Sequence, residues 1–231
     1  PASTSRHKAG TNVIGLFNRL SEEVVDPQII KDRADTVTLR RLIKVYGRYL
    51  ESLTNDGEVR RTDFSLLQQS ALQLLEDSPG TGSIFKYVIV DEYQDTNTVQ
   101  ERIFFHLAAG HKNICVVGDD DQALYRFRGA TVENFVDFPE RCRDLLKVKP
   151  RIIPLDTNYR SRQQIVEFYK DFIGRCDWRK ERPRKGFYRV VDKDIQAASK
   201  DKGVAVIASR RQPPDQACAE VAALVRDIID Q

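Results

Sequence analysis

Asp91 and Glu92 are adjacent carboxylates that follow directly on an apolar run, Phe85 to Val90. Two carboxylates at one point can divide the work of nucleotide hydrolysis. One holds Mg2+ through its water shell, and the other orients and deprotonates the attacking water. The same pair could simply cap the helix that follows. Gln94, Asp95 and Asn97 crowd the same stretch, more polar groups than a cap requires. A second cluster, Asp119, Asp120 and Asp121 followed by Gln122, closes a second apolar run, Asn113 to Gly118. Beyond it the chain alternates aromatic and arginine residues through Tyr125, Arg126, Phe127 and Arg128. Aromatic faces stack on bases and guanidinium groups meet phosphates, which suits single-stranded nucleic acid. A core loop with two buried aromatics and two solvated arginines would have the same composition.

Groups of this kind need a rigid edge to stand on. The uninterrupted apolar run Phe85 to Val90 predicts a strand buried on both faces, as in a parallel α/β sheet, and Asn113 to Gly118 predicts a second. Parallel strands carry their chemistry at the carboxyl end, where both acid clusters fall. Between the strands, Thr98-Val99-Gln100-Glu101 fits a capping box, with Val99, Ile103, Phe104 and Leu107 as the buried face of a crossover helix. The stretch Ser78-Pro79-Gly80-Thr81-Gly82-Ser83 is not a phosphate loop: it lacks Gly-Lys-Ser/Thr and leads into a strand instead of a helix, so it reads as a turn.

The segment VDEYQDTN resembles the Walker B motif of the UvrD/Rep/PcrA group of superfamily 1 helicases, and VVGDDDQALYRFRGA resembles the motif that follows it in that group. LDTNYRS, Leu155 to Ser161, is similar to the group's next motif, at the start of its second motor domain. Three motifs in the right order are far more specific than any one. The resemblance implies an ATP-dependent 3′ to 5′ DNA helicase with ATP and Mg2+ as cofactors. Its partners would be single-stranded DNA, duplex junctions and the remaining parts of the parent helicase. Carried over residue by residue, it implies Asp91 and Glu92 at the Mg2+, with Glu92 as the base on water, and Gln122 as the sensor of the terminal phosphate. It also implies Tyr159 on the adenine, Arg160 on the γ-phosphate, and Tyr125, Phe127 and Arg128 at the DNA. An Asp-Phe pair like Asp63-Phe64 precedes Walker B in the group, which would put Phe64 near DNA; the residue pattern by itself places Phe64 in a core.

The 231 residues suffice for one large or two small domains. A net charge of +3 is too small for nucleic-acid binding by bulk charge, so any such binding must come from local patches. Cys115, Cys142, Cys176 and Cys218 show no CxxC spacing and read as reduced thiols. No apolar run reaches membrane-span length and the polar start lacks a signal-type segment, which leads to the expectation of a cytoplasmic protein without a membrane partner. Methionine is absent and the chain begins at Pro1, as after loss of an initiator or in an incomplete reading frame; the missing motifs favour the second.

Elsewhere, patterning predicts a weak helix over 13–25 and a stronger one over 35–54. A further helix capped by Asp63 should bury Leu66, Leu67, Leu74 and Leu75. Thr131 should cap a short helix through Phe138, interrupted by Pro139. Ile152 to Leu155 and Val204 to Ser209 should be strands, and 161–173 a helix. Residues 174–189 hold seven basic residues and read as a solvated basic loop. Pro214 to Asp230 should be a helix with Ala217, Val221, Leu224, Val225 and Ile228 facing inward.

The expected fold class is therefore α/β with RecA-like parallel sheets, incomplete, and a helical insertion on the N-terminal side. Expected domains are a helical accessory subdomain over 1–78, the C-terminal half of a first RecA-like motor domain over 79–149, and the start of a second over 150–231. The group's Walker A loop and late motifs have no counterpart here, so the chain reads as an internal helicase piece, inactive alone as an ATPase. Two other readings remain open: a catalytically inert single-stranded nucleic-acid-binding or interaction module, and the helicase portion of a helicase-nuclease.

Overall fold

The computed structural model describes residues 6–54, 61–123, 131–181, 185–201, 203, 205–206 and 213–230. The chain folds as two compact units, one of Pro1–Ile152 with Trp178–Val191, the other of Ile153–Asp177 with Asp192–Gln231.

The first unit begins with helices α1 (Arg6–Glu22), α2 (Pro27–Arg33) and α3 (Val37–Thr54). The short α2 was not expected, because seven residues are too few to show a periodic stripe. Phe17 of α1 packs on Tyr46 and Tyr49 of α3, and Ser21 shares a 2.8 Å hydrogen bond with the Tyr46 hydroxyl, so a buried polar pair is satisfied within an aromatic cluster. Helix α4 (Phe64–Asp77) starts at the expected cap: Asp63 accepts from the Leu66 N–H at 2.7 Å and from the Tyr49 hydroxyl at 2.5 Å. Its buried positions are Ser65 and Leu72, whereas Leu67 and Leu74 are exposed. The helix is sandwiched between α1 and the later α5, so a narrow stripe through Leu72 is covered and the leucines flanking it are not.

Strands β1 (Val88–Val90) and β2 (Ile114–Val116) pair in parallel, with Val88 opposite Ile114 and Val90 opposite Val116. The crossover between them is α5 (Thr98–Ala108). Both strands lie where the apolar runs put them, but they are not buried on both faces. Val88, Val90, Ile114 and Val116 pack on a core of Tyr93, Phe105, Ala108, Phe138, Cys142 and Leu146, while Ile89 on the opposite face is 75 % exposed. With alternation along each strand and layers on one side only, among the described residues, every second side chain stays outside. Helix α5 buries Val99 as expected, but with Glu101, Phe105 and Ala108, whereas the predicted Ile103, Phe104 and Leu107 are half-buried. The capping box is real but one residue earlier, with Asn97 as the cap and Gln100 as its partner.

Helix α6 (Val132–Val136) follows Thr131, whose side chain makes no cap bond. Pro139 does not end this segment; it stands in the first turn of α7 (Phe138–Arg141), where a missing N–H costs nothing, and the chain continues into a π-helical turn, Cys142–Leu146. Residues Ile152, Ile153 and Leu155 are exposed and form no strand. Pro154 within the run has no N–H to give a ladder. The basic stretch is not a solvated loop throughout. Lys180 is buried against Asp137, and Arg189 against Asp121, both in the first unit.

In the second unit β3 (Thr157–Asn158) pairs in parallel with β4 (Gln196–Ala197), and α8 (Gln163–Gly174) follows β3. The predicted strand over 204–209 lies mostly outside the described residues; Ala205 and Val206, which are described, are not in a strand, and their N–H groups donate to Gln164. Helix α9 (Pro214–Ile229) has the expected bounds, but Val221, Leu224, Val225 and Ile228 are exposed. The stripe is present in the sequence and no described element covers it.

In the core, Glu101 is 2 % exposed, accepts from the Tyr93 hydroxyl at 3.1 Å and pairs with Arg141 of α7. Burial pushes its carboxyl up to about 7 from 4.5, against the pull of the Arg141 charge and the Tyr93 hydrogen bond. The folded state therefore keeps a proton that the unfolded chain gives up, and the associated stability is full below pH 4.5 and lost as pH rises through about 7. In urea titrations across that window, the stability of the unmutated chain relative to Glu101→Gln is expected to fall as pH rises. A difference that does not change with pH would remove Glu101 from this role.

Candidate functional site

Asp91 and Glu92 stand at the carboxyl end of β1, and Asp119 to Gln122 follow the carboxyl end of β2, so parallel pairing brings the two polar clusters to one edge. The acid pair does not cap α5, since Asn97 does that. Asn97 also donates to Gln68 of α4 at 3.0 Å, and Thr98 donates to Glu23 at 2.9 Å, which ties the helical layer to the acid loop. Asp91 and Glu92 are both exposed, and the Glu92 N–H donates to Asp91 Oδ1 at 2.9 Å. Glu92 has φ 50° and ψ 42°, the left-handed region. A residue with a Cβ is held there only when its surroundings over-determine it, at a cost of about 1 to 3 kcal/mol.

Part of what holds it is Gln94, which is 2 % exposed. Its Nε2 donates to Glu92 Oε2 at 2.6 Å, and its Oε1 accepts from the Asp119 N–H at 3.0 Å. Asp119 in turn accepts from the Asp121 N–H at 3.1 Å and from Gln122 Nε2 at 2.9 Å. A continuous hydrogen-bonded chain thus runs Glu92, Gln94, Asp119, Gln122 from one strand end to the other. The sequence places Gln94 among polar residues after a strand but does not show that it is the buried cross-link. Gly118 makes the link possible. A Cβ built there would lie 2.4 Å from Gln94 Oε1 and 2.9 Å from the Phe135 ring.

Hard oxygen donors with room for several waters are what Mg2+ takes. Asp91 is an exposed carboxylate at the sheet edge and fits that demand, with Glu92 beside it. The Asp119, Asp120 and Asp121 carboxylates also lie within 4.8 Å of one another. Their oxygens hold the turn: Asp119 on Gln122 and the Asp121 N–H, Asp121 on Arg189, and Asp120 on the Val190 N–H.

Phe64, the first residue of α4, is 87 % exposed, which overturns its reading as a core phenylalanine. The capping bonds of Asp63 fix the backbone on which it stands, and the described residues leave its ring open. Tyr125, Phe127 and Arg128 lie outside the described residues. Tyr159 and Arg160 belong to the second unit, where Tyr159 is 83 % exposed and Arg160 exposed. Asn158 Oδ1 accepts from the N–H groups of Arg160 at 2.9 Å and Ser161 at 2.8 Å, a side-chain turn that sets both residues beyond the end of β3.

The family model described as the UvrD/REP helicase N-terminal domain matches residues 2–143. The chain is 34 % identical to the ATP-dependent DNA helicase PcrA of Staphylococcus epidermidis over 164 residues, 69 % of this chain and 21 % of that protein. It is 32 % identical to the protein of the same name from Staphylococcus aureus over 164 residues, with the same coverage. The chain thus spans about a fifth of the length of the curated relatives it matches. Among the described residues, no helix is long and apolar enough to cross a membrane.

Gly118→Ala is expected to force Gln94 or Phe135 aside and to lower stability by about 1 to 3 kcal/mol, the usual range for overpacking. Urea denaturation of the chain measures it, and an unchanged midpoint would show that the link yields without strain.

Proposed function

Because this chain belongs to the UvrD/REP helicase family, which the match over residues 2–143 establishes, we propose that it carries part of the ATPase and DNA surfaces of an ATP-dependent helicase moving 3′ to 5′ on single-stranded DNA. In this reading residues 1–78 are a helical accessory subdomain, 79–149 the C-terminal half of a first RecA-like motor domain, and 150–231 the start of a second. The observation that supports it most is the hydrogen-bonded chain from Glu92 through Gln94 and Asp119 to Gln122. It couples a candidate base to a candidate phosphate sensor at one sheet edge.

The roles are those that the family resemblance implies, and position and chemistry support them. Asp91 would hold Mg2+, which when bound neutralises charge on the β- and γ-phosphates of the substrate ATP. Glu92 takes the proton of the attacking water, and Gln94, donating to one of its oxygens, leaves the carboxylate one orientation in which to do so. Gln122 meets the terminal phosphate. Tyr159 stacks on the adenine and Arg160, with its planar fork of donors, binds the γ-phosphate oxygens. Gln122 lies three residues before Tyr125, and with Phe127 and Arg128 this stretch is the proposed DNA surface. In this reading a change at the phosphate passes to DNA along three residues of chain. Phe64, exposed on a fixed helix start, adds a stacking face. Single-stranded DNA and duplex junctions are the partners in this reading.

Glu92→Gln in the intact helicase keeps the hydrogen-bonding shape but accepts no proton. Turnover is expected to fall by about 10²- to 10⁴-fold while ATP still binds. Normal turnover in that variant would remove Glu92 from the base role, and an unmutated protein that binds single strands without any turnover would point to an inert binding module. Phe64→Ala is expected to leave stability unchanged and to weaken single-strand binding by about 1 to 3 kcal/mol in a titration at fixed salt. Unchanged affinity would count against a stacking role for Phe64.

A further inference from the structure

The segment Trp178–Val191 lies beyond the residues matched by the family model, is flanked in the chain on both sides by residues of the second unit, and yet packs within the first. Its two arms pair antiparallel, with Tyr188 N–H donating to the Trp178 carbonyl at 2.7 Å and Lys180 N–H to the Gly186 carbonyl at 2.9 Å. Two anchors hold it. Lys180, nearly buried, donates to both oxygens of Asp137 at 3.0 and 2.8 Å. Arg189 grips Asp121 in a fork, Nε to Oδ1 at 2.6 Å and Nη2 to Oδ2 at 2.9 Å, with the two side chains only 17 % and 8 % exposed. The Val190 N–H donates to Asp120 Oδ2 at 2.6 Å.

Asp120 and Asp121 both belong to the 3-10 turn Asp120–Gln122, whose last residue is Gln122. We propose that Arg189 is a positioning residue for Gln122, and that Trp178–Val191 is a clamp that sets this turn. The proposal rests on the reading of Gln122 as the phosphate sensor. Three adjacent aspartates repel one another and would by themselves open the turn. A guanidinium shared in bidentate fashion with Asp121 cancels one of these charges and fixes the plane of that carboxylate. The Asp121 N–H is then directed to Asp119 Oδ1, and the other Asp119 oxygen receives the Gln122 amide. Removing Arg189 leaves a nearly buried carboxylate beside two others, and the element that moves is the one bearing Gln122. Asp192, two residues after Val190, already belongs to the second unit. The clamp is therefore the last stretch of the chain that belongs to the first unit.

Two measurements test this. In this chain, amide hydrogen exchange at Asp121, Gln122 and Ala123 is expected to quicken at least about tenfold in Arg189→Ala while amides of α5 keep their protection, the mark of local opening instead of global unfolding. Arg189→Lys recovers part of the protection, and Arg189→Asp combined with Asp121→Arg recovers more than either reversal alone. In the intact helicase, Arg189→Ala is expected to lower kcat for ATP by about 10- to 100-fold with KM within about twofold, as for a displaced group that acts in the transition state. Unchanged exchange in Arg189→Ala, or a reversed pair no better than the single variants, overturns the clamp. Unchanged kcat in a protein whose turnover Glu92→Gln abolishes overturns the positioning role alone. An unmutated protein without ATP turnover overturns the sensor reading and the positioning role with it, and is recognised because it fails before any substitution.

Discussion

One buried amide carries the geometry of the sheet edge. Gln94, itself buried, uses both ends of its side chain, donating to Glu92 and accepting from the Asp119 N–H. A buried amide with either end unmet would cost about 1 to 3 kcal/mol, so the two strand ends are held at the separation that satisfies both. Backbone pairing of β1 with β2 sets the strands side by side, but three residue pairs leave the loops beyond them free to diverge. The side-chain link removes that freedom. It also bears on the left-handed backbone of Glu92, because the carboxylate can meet Nε2 only from a restricted range of approach.

Around this link the protein relies on partly buried ion pairs more than its modest net charge suggests. Glu101 with Arg141, Asp121 with Arg189 and Asp137 with Lys180 each join segments far apart in the chain. Breaking such pairs is expensive even where making them gains little, so they act as registers that fix which segment meets which. Two of the three lie next to elements that bound the polar edge. The helical layer is joined differently, by single hydrogen bonds instead of ion pairs, such as Asn97 to Gln68 and Thr98 to Glu23.

How much the sequence discloses depends on the range of the forces involved. Apolar periodicity and local capping are short-range, and they locate β1, β2, α3, α4 and α5 to within a few residues and put the Asp63 cap at its true position. Motif order discloses the family. Burial is the less legible quantity, because it depends on what else is packed against a face. The stripe of α9 and residue Ile89 are apolar and exposed, Phe64 is aromatic and exposed, and Arg189 is charged and enclosed. Glu101 has the spacing of a capping acid and is a core residue, since the true cap lies one position earlier and rotates the helix accordingly. Long-range side-chain contacts, such as Gln94 to Asp119 or Arg189 to Asp121, leave no periodic trace at all.

Gly118 would mislead a comparison of relatives based on residue identity alone. At 118 a side chain is kept out because the Gln94 oxygen and the Phe135 ring already occupy the neighbouring space. A glycine there reports no reactivity; it measures how closely two strand ends have been drawn together.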